Sequence, residues 1–279
     1  MGDVGGRKWI ESQPDELAGQ REIMLRLLDW SESDARVKCL GVACSVGRGA
    51  GDRLSDLDMG MWLETSDFEA VVADIHRAVD AAGELIESYH HKLPGVTIKH
   101  ERIFAQYADR CQLDLVVMPT DEGLAGVKDF VLLYNADGLV PTDFEHRPVT
   151  PIQVREWAFN GWACLADVGK YLRRGSPWEA LERLHQARAE FWRLLAASYR
   201  VPNPQYGVTS ILDFAPDRMP AELAGTVAPL DLDGLLAAAR ALASRLSTVG
   251  DLLDPELSAT LPTAMAAYVT ADLDLIETR

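Results

Sequence analysis

Hydrophobic positions fall into two regimes along the chain. In the first half, PDELAGQREIMLRLLDW spaces Leu17, Ile23, Met24, Leu27 and Leu28 at helical intervals and predicts an N-terminal helix. RVKCLGVAC then predicts a short strand over 37–43. In DLDMGMWLE the period drops to two. Leu57, Met59, Met61 and Leu63 share one face, and Asp56, Asp58, Gly60 and Trp62 share the other. DFEAVVADIHRAVDAAG predicts a helix with Phe68, Val71, Val72, Ile75 and Val79 on one stripe and Gly83 as its stop. ELIESYHH, VTIKHERIF and QLDLVVMP predict strands, the first two separated by the turn LPGV, and DFVLLYN predicts one more.

The second half is helical in pattern. Thr150-Pro151 is an N-cap followed by a first-turn proline and predicts a helix to Arg174, stopped by Gly175. Ser176-Pro177-Trp178-Glu179 predicts a capping box opening a second helix to about Arg200. Shorter helices and a long one through LDGLLAAARALASRL follow the loop VPNPQYG. The expected fold class is α+β: a mixed-sheet domain over residues 1–149, then an all-helical domain over 150–279. Arg188 interrupts the stripe Leu181, Leu184, Phe191, Leu195, so a carboxylate or ligand partner is expected, a structural salt bridge above all. Trp157, Trp162, Trp178 and Trp192 are expected in the core rather than as substrate platforms.

Composition narrows the class. The chain has 279 residues, 48% of them hydrophobic, which suits two packed domains. The N-terminus lacks the apolar core of a secretory signal, and Gly6 stands where a myristoylation site needs Ser or Thr. No window approaches ~20 uninterrupted apolar residues. A soluble cytoplasmic protein that neither spans nor binds a membrane is expected. Cys39, Cys44, Cys111 and Cys164 form no C-x-x-C pair and are expected as free thiols in apolar surroundings. His90-His91 and His185 show no metal-ligand spacing and are expected to be structural or exposed. The net charge is −16, with −12 in residues 1–150. There is no Lys/Arg cluster beyond Arg173-Arg174, so nucleic-acid partners are not expected. The acidity suits either a cationic small substrate or simple solubility.

Candidate chemistry concentrates in CSVGRGAGDRLSDLDMGMWLE, Cys44 to Glu64. Gly47, Gly49 and Gly51 allow close backbone approach to a ligand and can aim N–H groups at it. Ser45 offers a hydroxyl, and Arg48 can fork onto phosphate oxygens. Asp56 and Asp58 project from one strand face, roughly 6–7 Å apart along the chain. Such hard oxygen ligands suit Mg²⁺, and two like charges on an apolar strand call for a cation. Phosphate on the loop and metal on the strand together describe phosphoryl or nucleotidyl transfer.

With its strand, its Ser-x-Gly-Arg-Gly loop, Ser55 and Asp-Leu-Asp, this segment resembles the DNA polymerase β-like nucleotidyltransferase superfamily. More narrowly, it is similar to the aminoglycoside-type adenylyltransferases, whose signature runs Gly-Ser, x-Ala/Gly-Arg-Gly, a spacer, then Ser-Asp-x-Asp. The resemblance covers mainly residues 35–120, and Cys44 replaces the family glycine before Ser45. It implies an N-terminal nucleotidyltransferase domain with two Mg²⁺ ions and ATP as co-substrate. Asp56 and Asp58 would hold both ions, and Asp114 in QLDLVVMP would complete the catalytic one. Asp114 or a nearby carboxylate would take the proton of the attacking hydroxyl, with Glu87 and Glu101 as lesser candidates. Ser45, Gly47, Arg48, Ser55 and Lys170 would bind the nucleotide; a solvated lysine is the ordinary alternative for Lys170. The implied reaction is transfer of a nucleoside monophosphate, AMP from ATP, to a hydroxyl of a small cationic acceptor such as an aminoglycoside. A monomer or a homodimer would serve. Two other readings are an AMP-transferring toxin–antitoxin component acting on a protein, and a silent nucleotide-binding relative. The R-x-x-x-x-H signature of a companion ribonuclease is lacking, Arg183-Leu184-His185 being too closely spaced.

Overall fold

A computed structural model describes residues 5–64, 68–92, 100–120, 130–139 and 148–276. The chain is a mixed α+β protein that divides into two compact units, Met1–Glu145 and His146–Arg279.

The first unit carries six strands: β1 Val37–Val42, β2 Leu57–Leu63, β3 Leu85–Lys92, β4 Glu101–Tyr107, β5 Gln112–Pro119 and β6 Val131–Asn135. They form one sheet in the order β3-β4-β5-β2-β1-β6. The β2–β5 pair is parallel and the other four are antiparallel. Helices α1 (Gly6–Glu11), α2 (Ala18–Ser33) and α4 (Phe68–Asp80) pack on one face; the single turn α3 (Cys44–Gly47) follows β1. Ile23, Met24, Leu27 and Leu28 of α2 and the predicted stripe of α4 meet Leu57, Met59, Met61 and Leu63 of β2 in one core. The opposite face carries a small apolar cluster around Cys39 and Trp62, with Met118, Phe130, Leu132 and Leu139 against it. The outward face of β2, β4 and β5 also carries Asp58, Arg102, Gln106 and Asp114, beside Phe104 and Val116.

Several expectations shift. The N-terminal helix begins with a 3₁₀ turn at Asp15–Leu17 and runs on to Ser33. Helix α1 is less than two turns long, too short for periodicity to reveal. The strand expected to start at Val96 is observed over Glu101–Tyr107; its first expected residues, 96–99, lie outside the described residues.

In the second unit, α5 (Pro151–Arg173) and α6 (Pro177–Ser198) pack with α8 (Leu232–Thr248) and α10 (Thr263–Asp274) around a common core. The shorter α7 (Val208–Phe214) and α9 (Pro255–Ser258) complete the order. Thr150 Oγ1 accepts from Gln153 N at 3.2 Å and Gln153 Oε1 accepts from Thr150 N at 3.0 Å, a full capping box. The box expected at Ser176 does not form. Ser176 Oγ donates instead to Glu179 Oε2 at 2.6 Å and caps no backbone N–H. Gly175 terminates α5 at φ +65°. Arg188 is a second correction: its partner is Thr226, through the carbonyl at 2.6 Å and the hydroxyl at 3.2 Å, rather than a carboxylate. A neutral carbonyl suffices because the guanidinium is only half-buried. Trp157 and Trp162 are core residues and Trp192 packs against the core, but Trp178 is 70% exposed. No helix among the described residues is long and apolar enough to cross a membrane.

Gly6 sits where α1 touches β6. A Cβ there would lie 1.9 Å from the Leu133 carbonyl oxygen, a backbone atom that cannot swing aside. Gly6→Ala should therefore cost on the order of 1–3 kcal/mol of stability, measured by urea denaturation.

Candidate active site

The Ser45–Asp58 segment is fixed at both ends. Ala43 N donates to Asp58 O at 2.8 Å, tying the exit of β1 to β2. The chain then winds through α3. Gly47 N, Arg48 N and Gly49 N donate to Ala43, Cys44 and Val46 carbonyls at 3.0 Å, and Ala50 N to Ser45 O at 2.9 Å. These four N–H groups close the loop's own turns rather than aiming at a ligand. Gly49 has φ +71°, the left-handed conformation glycine favours. Next, Ser55 Oγ accepts from Asp52 N at 2.9 Å and Asp52 Oδ1 accepts from Leu54 N at 2.8 Å. Ser55 is thus committed to its own turn. From α2, the buried Gln20 amide donates to Ser55 O at 2.8 Å and to Arg53 O at 3.4 Å, anchoring the segment just before Asp56.

Position 44 departs from the expectation for its cysteine. Cys44 is solvent-accessible, has φ +53°, and hydrogen-bonds Asp58 through its thiol. Partial burial of the sulfur and the neighbouring Asp58 charge push the thiol up to about 12, so it stays protonated. An L-residue in this conformation is strained, and a glycine at this position would not be. Of the other cysteines, Cys39 and Cys111 are buried free thiols and Cys164 is half-buried.

The carboxylates gather through strand pairing. Asp58 and Asp114 are direct partners across the parallel β2–β5 pair, about 4.8 Å apart at the backbone and on one face. Asp56 is exposed just before β2. Burial first, then the charges of Asp56 and Asp114, hold the Asp58 carboxyl above its usual range; Arg102 and the Cys44 thiol act against that shift. Arg102 on β4 grips Asp114 with both arms: Nε donates to Oδ1 at 2.6 Å and the guanidinium NH₂ to Oδ2. Among the described residues no three His, Cys, Asp or Glu side chains are gathered closely enough to cage a metal ion. Glu101 faces the helix-covered side, buried, with His90 Nε2 at 2.6 Å from its carboxylate. Glu87 pairs with Gln106 on the outward face, but β4 lies between it and Asp114, roughly 10 Å of sheet. Lys170 lies on α5 of the other unit, ion-paired with Asp167 and 4.5 Å above the Tyr171 ring.

Arg102 and Gln20 were not foreseen as site residues. Alternation in HERIFAQY does set Arg102 opposite Ile103, but only strand register reveals that it reaches Asp114.

The donor set fits a hard divalent cation. Asp58 and Asp114 are oxygen donors set side by side with Asp56 just before β2, a guanidinium stands against Asp114, and the three carboxylates are not drawn into a cage.

No protein-family model matches the chain, and no curated protein matches it. Among solved structures, it is similar to an aminoglycoside 6-adenyltransferase from Bacillus subtilis, at 14% identity and a TM-score of 0.38, over 91% of this chain and 98% of that one. It is also similar to a nucleotidyltransferase-like protein from Exiguobacterium sibiricum 255-15, at 10% identity and a TM-score of 0.35, over 92% and 88%.

Two outcomes follow for stability. Cys44→Gly relieves roughly 1–2 kcal/mol of left-handed strain, partly offset by glycine's looser unfolded chain. A net gain of about 0.5–1 kcal/mol is expected in urea titrations, and Cys44→Val should lose stability instead. Asp58 titrates higher folded than unfolded, so its contribution is fully present below its unfolded value of 3.8 and lost as pH rises through the folded value. In chelator, Asp58→Asn should be more stable than wild type at pH 7, with the difference vanishing below pH 3.8.

Proposed function

We propose that this protein is a nucleotidyltransferase that moves AMP from Mg²⁺–ATP to a hydroxyl of a small cationic acceptor such as an aminoglycoside. The observation that carries the reading is the register of Asp58 against Asp114, with Asp56 and the Ser45–Arg48 turn at the same end of β2. A loop suited to phosphate beside paired carboxylates is what transfer to an alcohol requires.

Asp56, Asp58 and Asp114 would hold the ions. Bound Mg²⁺ would supply charge neutralisation to the triphosphate and to the attacking and leaving oxygens. Ser45 and Arg48 would orient the phosphates, the guanidinium by forked hydrogen bonds. Gln20 keeps the Arg53–Ser55 backbone in place, so Asp56 enters the site at a fixed height. The acceptor oxygen would form a bond to the α-phosphorus as the bond to pyrophosphate breaks. Its proton would pass to Asp114 or a nearby carboxylate. Pyrophosphate leaves. The strongly acidic first half supports a cationic acceptor through steering at low ionic strength. On the helical second unit, Lys170, expected from the resemblance as a phosphate ligand, is ion-paired with Asp167.

The test is a mass-spectrometric screen of protein, Mg²⁺ and each of the four nucleoside triphosphates against aminoglycosides, aminocyclitols and lincosamides. An acceptor heavier by one nucleoside monophosphate is expected, reduced by at least about 10²–10³-fold in Asp58→Ala. AMP found on a co-purified protein instead would move the reading to a protein acceptor. Thermal stabilisation by nucleotide without any product would identify a silent relative.

A further inference from the structure

Arg102 holds the one carboxylate of the site that sits across the sheet from Asp58. Its strand places it there by register: Phe104 is the β4 partner of Asp114 and Arg102 the partner of Val116, so Arg102 lies diagonal to Asp114 on the same face. The contact is forked, with one donor to each carboxylate oxygen. Asp114 is deeply set, 13% exposed at its side chain, while the Arg102 side chain is 38% exposed. The carboxylate is therefore enclosed and its cation is open to solvent. Here the pairing takes both Asp114 oxygens, and it coincides with the absence of a ready metal cage among the described residues.

We propose that Arg102 is a positioning residue that exchanges partners. Without nucleotide it neutralises Asp114 and keeps that carboxylate out of the cation site. When a nucleoside triphosphate arrives, its phosphate oxygens draw the guanidinium away, and Asp114 joins Asp56 and Asp58 around the cation. This rests on the nucleotidyltransferase reading above. The physical basis is that a guanidinium and a divalent cation compete for the same two oxygens, and that forked Arg–phosphate bonding is as well formed as forked Arg–carboxylate bonding. No covalent step is involved. The exchange links cation affinity to nucleotide, and such linkage is reciprocal.

The experiment measures Mn²⁺ affinity by electron paramagnetic resonance of the free ion, with and without a non-hydrolysable ATP analogue, in wild type, Arg102→Gln and Asp58→Asn. Arg102→Gln should bind Mn²⁺ at least about tenfold more tightly than wild type without nucleotide, and that advantage should shrink with the analogue present. Equal affinities in wild type and Arg102→Gln, both weakened by Asp58→Asn, overturn the exchange and leave the transferase reading standing. Absence of Mn²⁺ binding under every condition sinks both. If Arg102→Gln does not fold, nitrogen-15 resonances of the arginine Nε–H in wild type decide the matter, with Arg102→Lys identifying the signal. The Arg102 resonance should move when Mg²⁺ and the analogue are added together; an unmoved resonance overturns the proposal.

Discussion

Everything at the candidate site depends on β2 and β5 being parallel neighbours in register. That one pairing sets Asp58 against Asp114 and threads both through the middle of a six-stranded sheet. Two carboxylates so placed repel, and one of them is largely desolvated. A sheet does not adopt that arrangement for stability. The core on the helix side must therefore carry the outward face. It does so with an apolar stripe along β2 and the helix residues of α2 and α4 pressed against it.

The positive charges nearby fit this account. Arg102 meets Asp114 through a fork, and its field also lowers the cost of ionising Asp58. Cys44 contributes a protonated thiol to the same carboxylate from a strained backbone position. Site and loop thus share an electrostatic problem whose resident solution is a guanidinium and a thiol, both on flexible side chains. Each is the type of group that a stronger cation or an anionic ligand can displace.

Local signals were legible in the sequence, and pairings were not. The alternation in β2 put Leu57, Met59, Met61 and Leu63 on one face and Asp58 on the other, because a period of two is a property of the strand alone. The helical stripe of α4 and the Thr150 cap were legible for the same reason. The sequence motif also located Asp56, Asp58 and Asp114 as candidates. What stayed hidden depends on distant partners: that β4 separates β3 from β5, that Arg102 reaches Asp114, and that Gln20 reaches a loop more than thirty residues away. At Ser176 the hydroxyl donates to the Glu179 carboxylate and accepts no backbone N–H, so no capping box forms. Arg188 found a carbonyl where a carboxylate was expected. In both, spacing identified an unusual residue but left its partner open.

The Gln20 amide has a wider consequence. A glycine-rich loop joining two strands would ordinarily open and close independently of the core beneath it. Here a buried side chain from α2 bonds the two carbonyls ahead of the first carboxylate. Loop and helix layer therefore form one cooperative unit. The backbone leading into the site is held by the α2 packing through those two carbonyls, and what loosens that helix loosens this backbone in the same event.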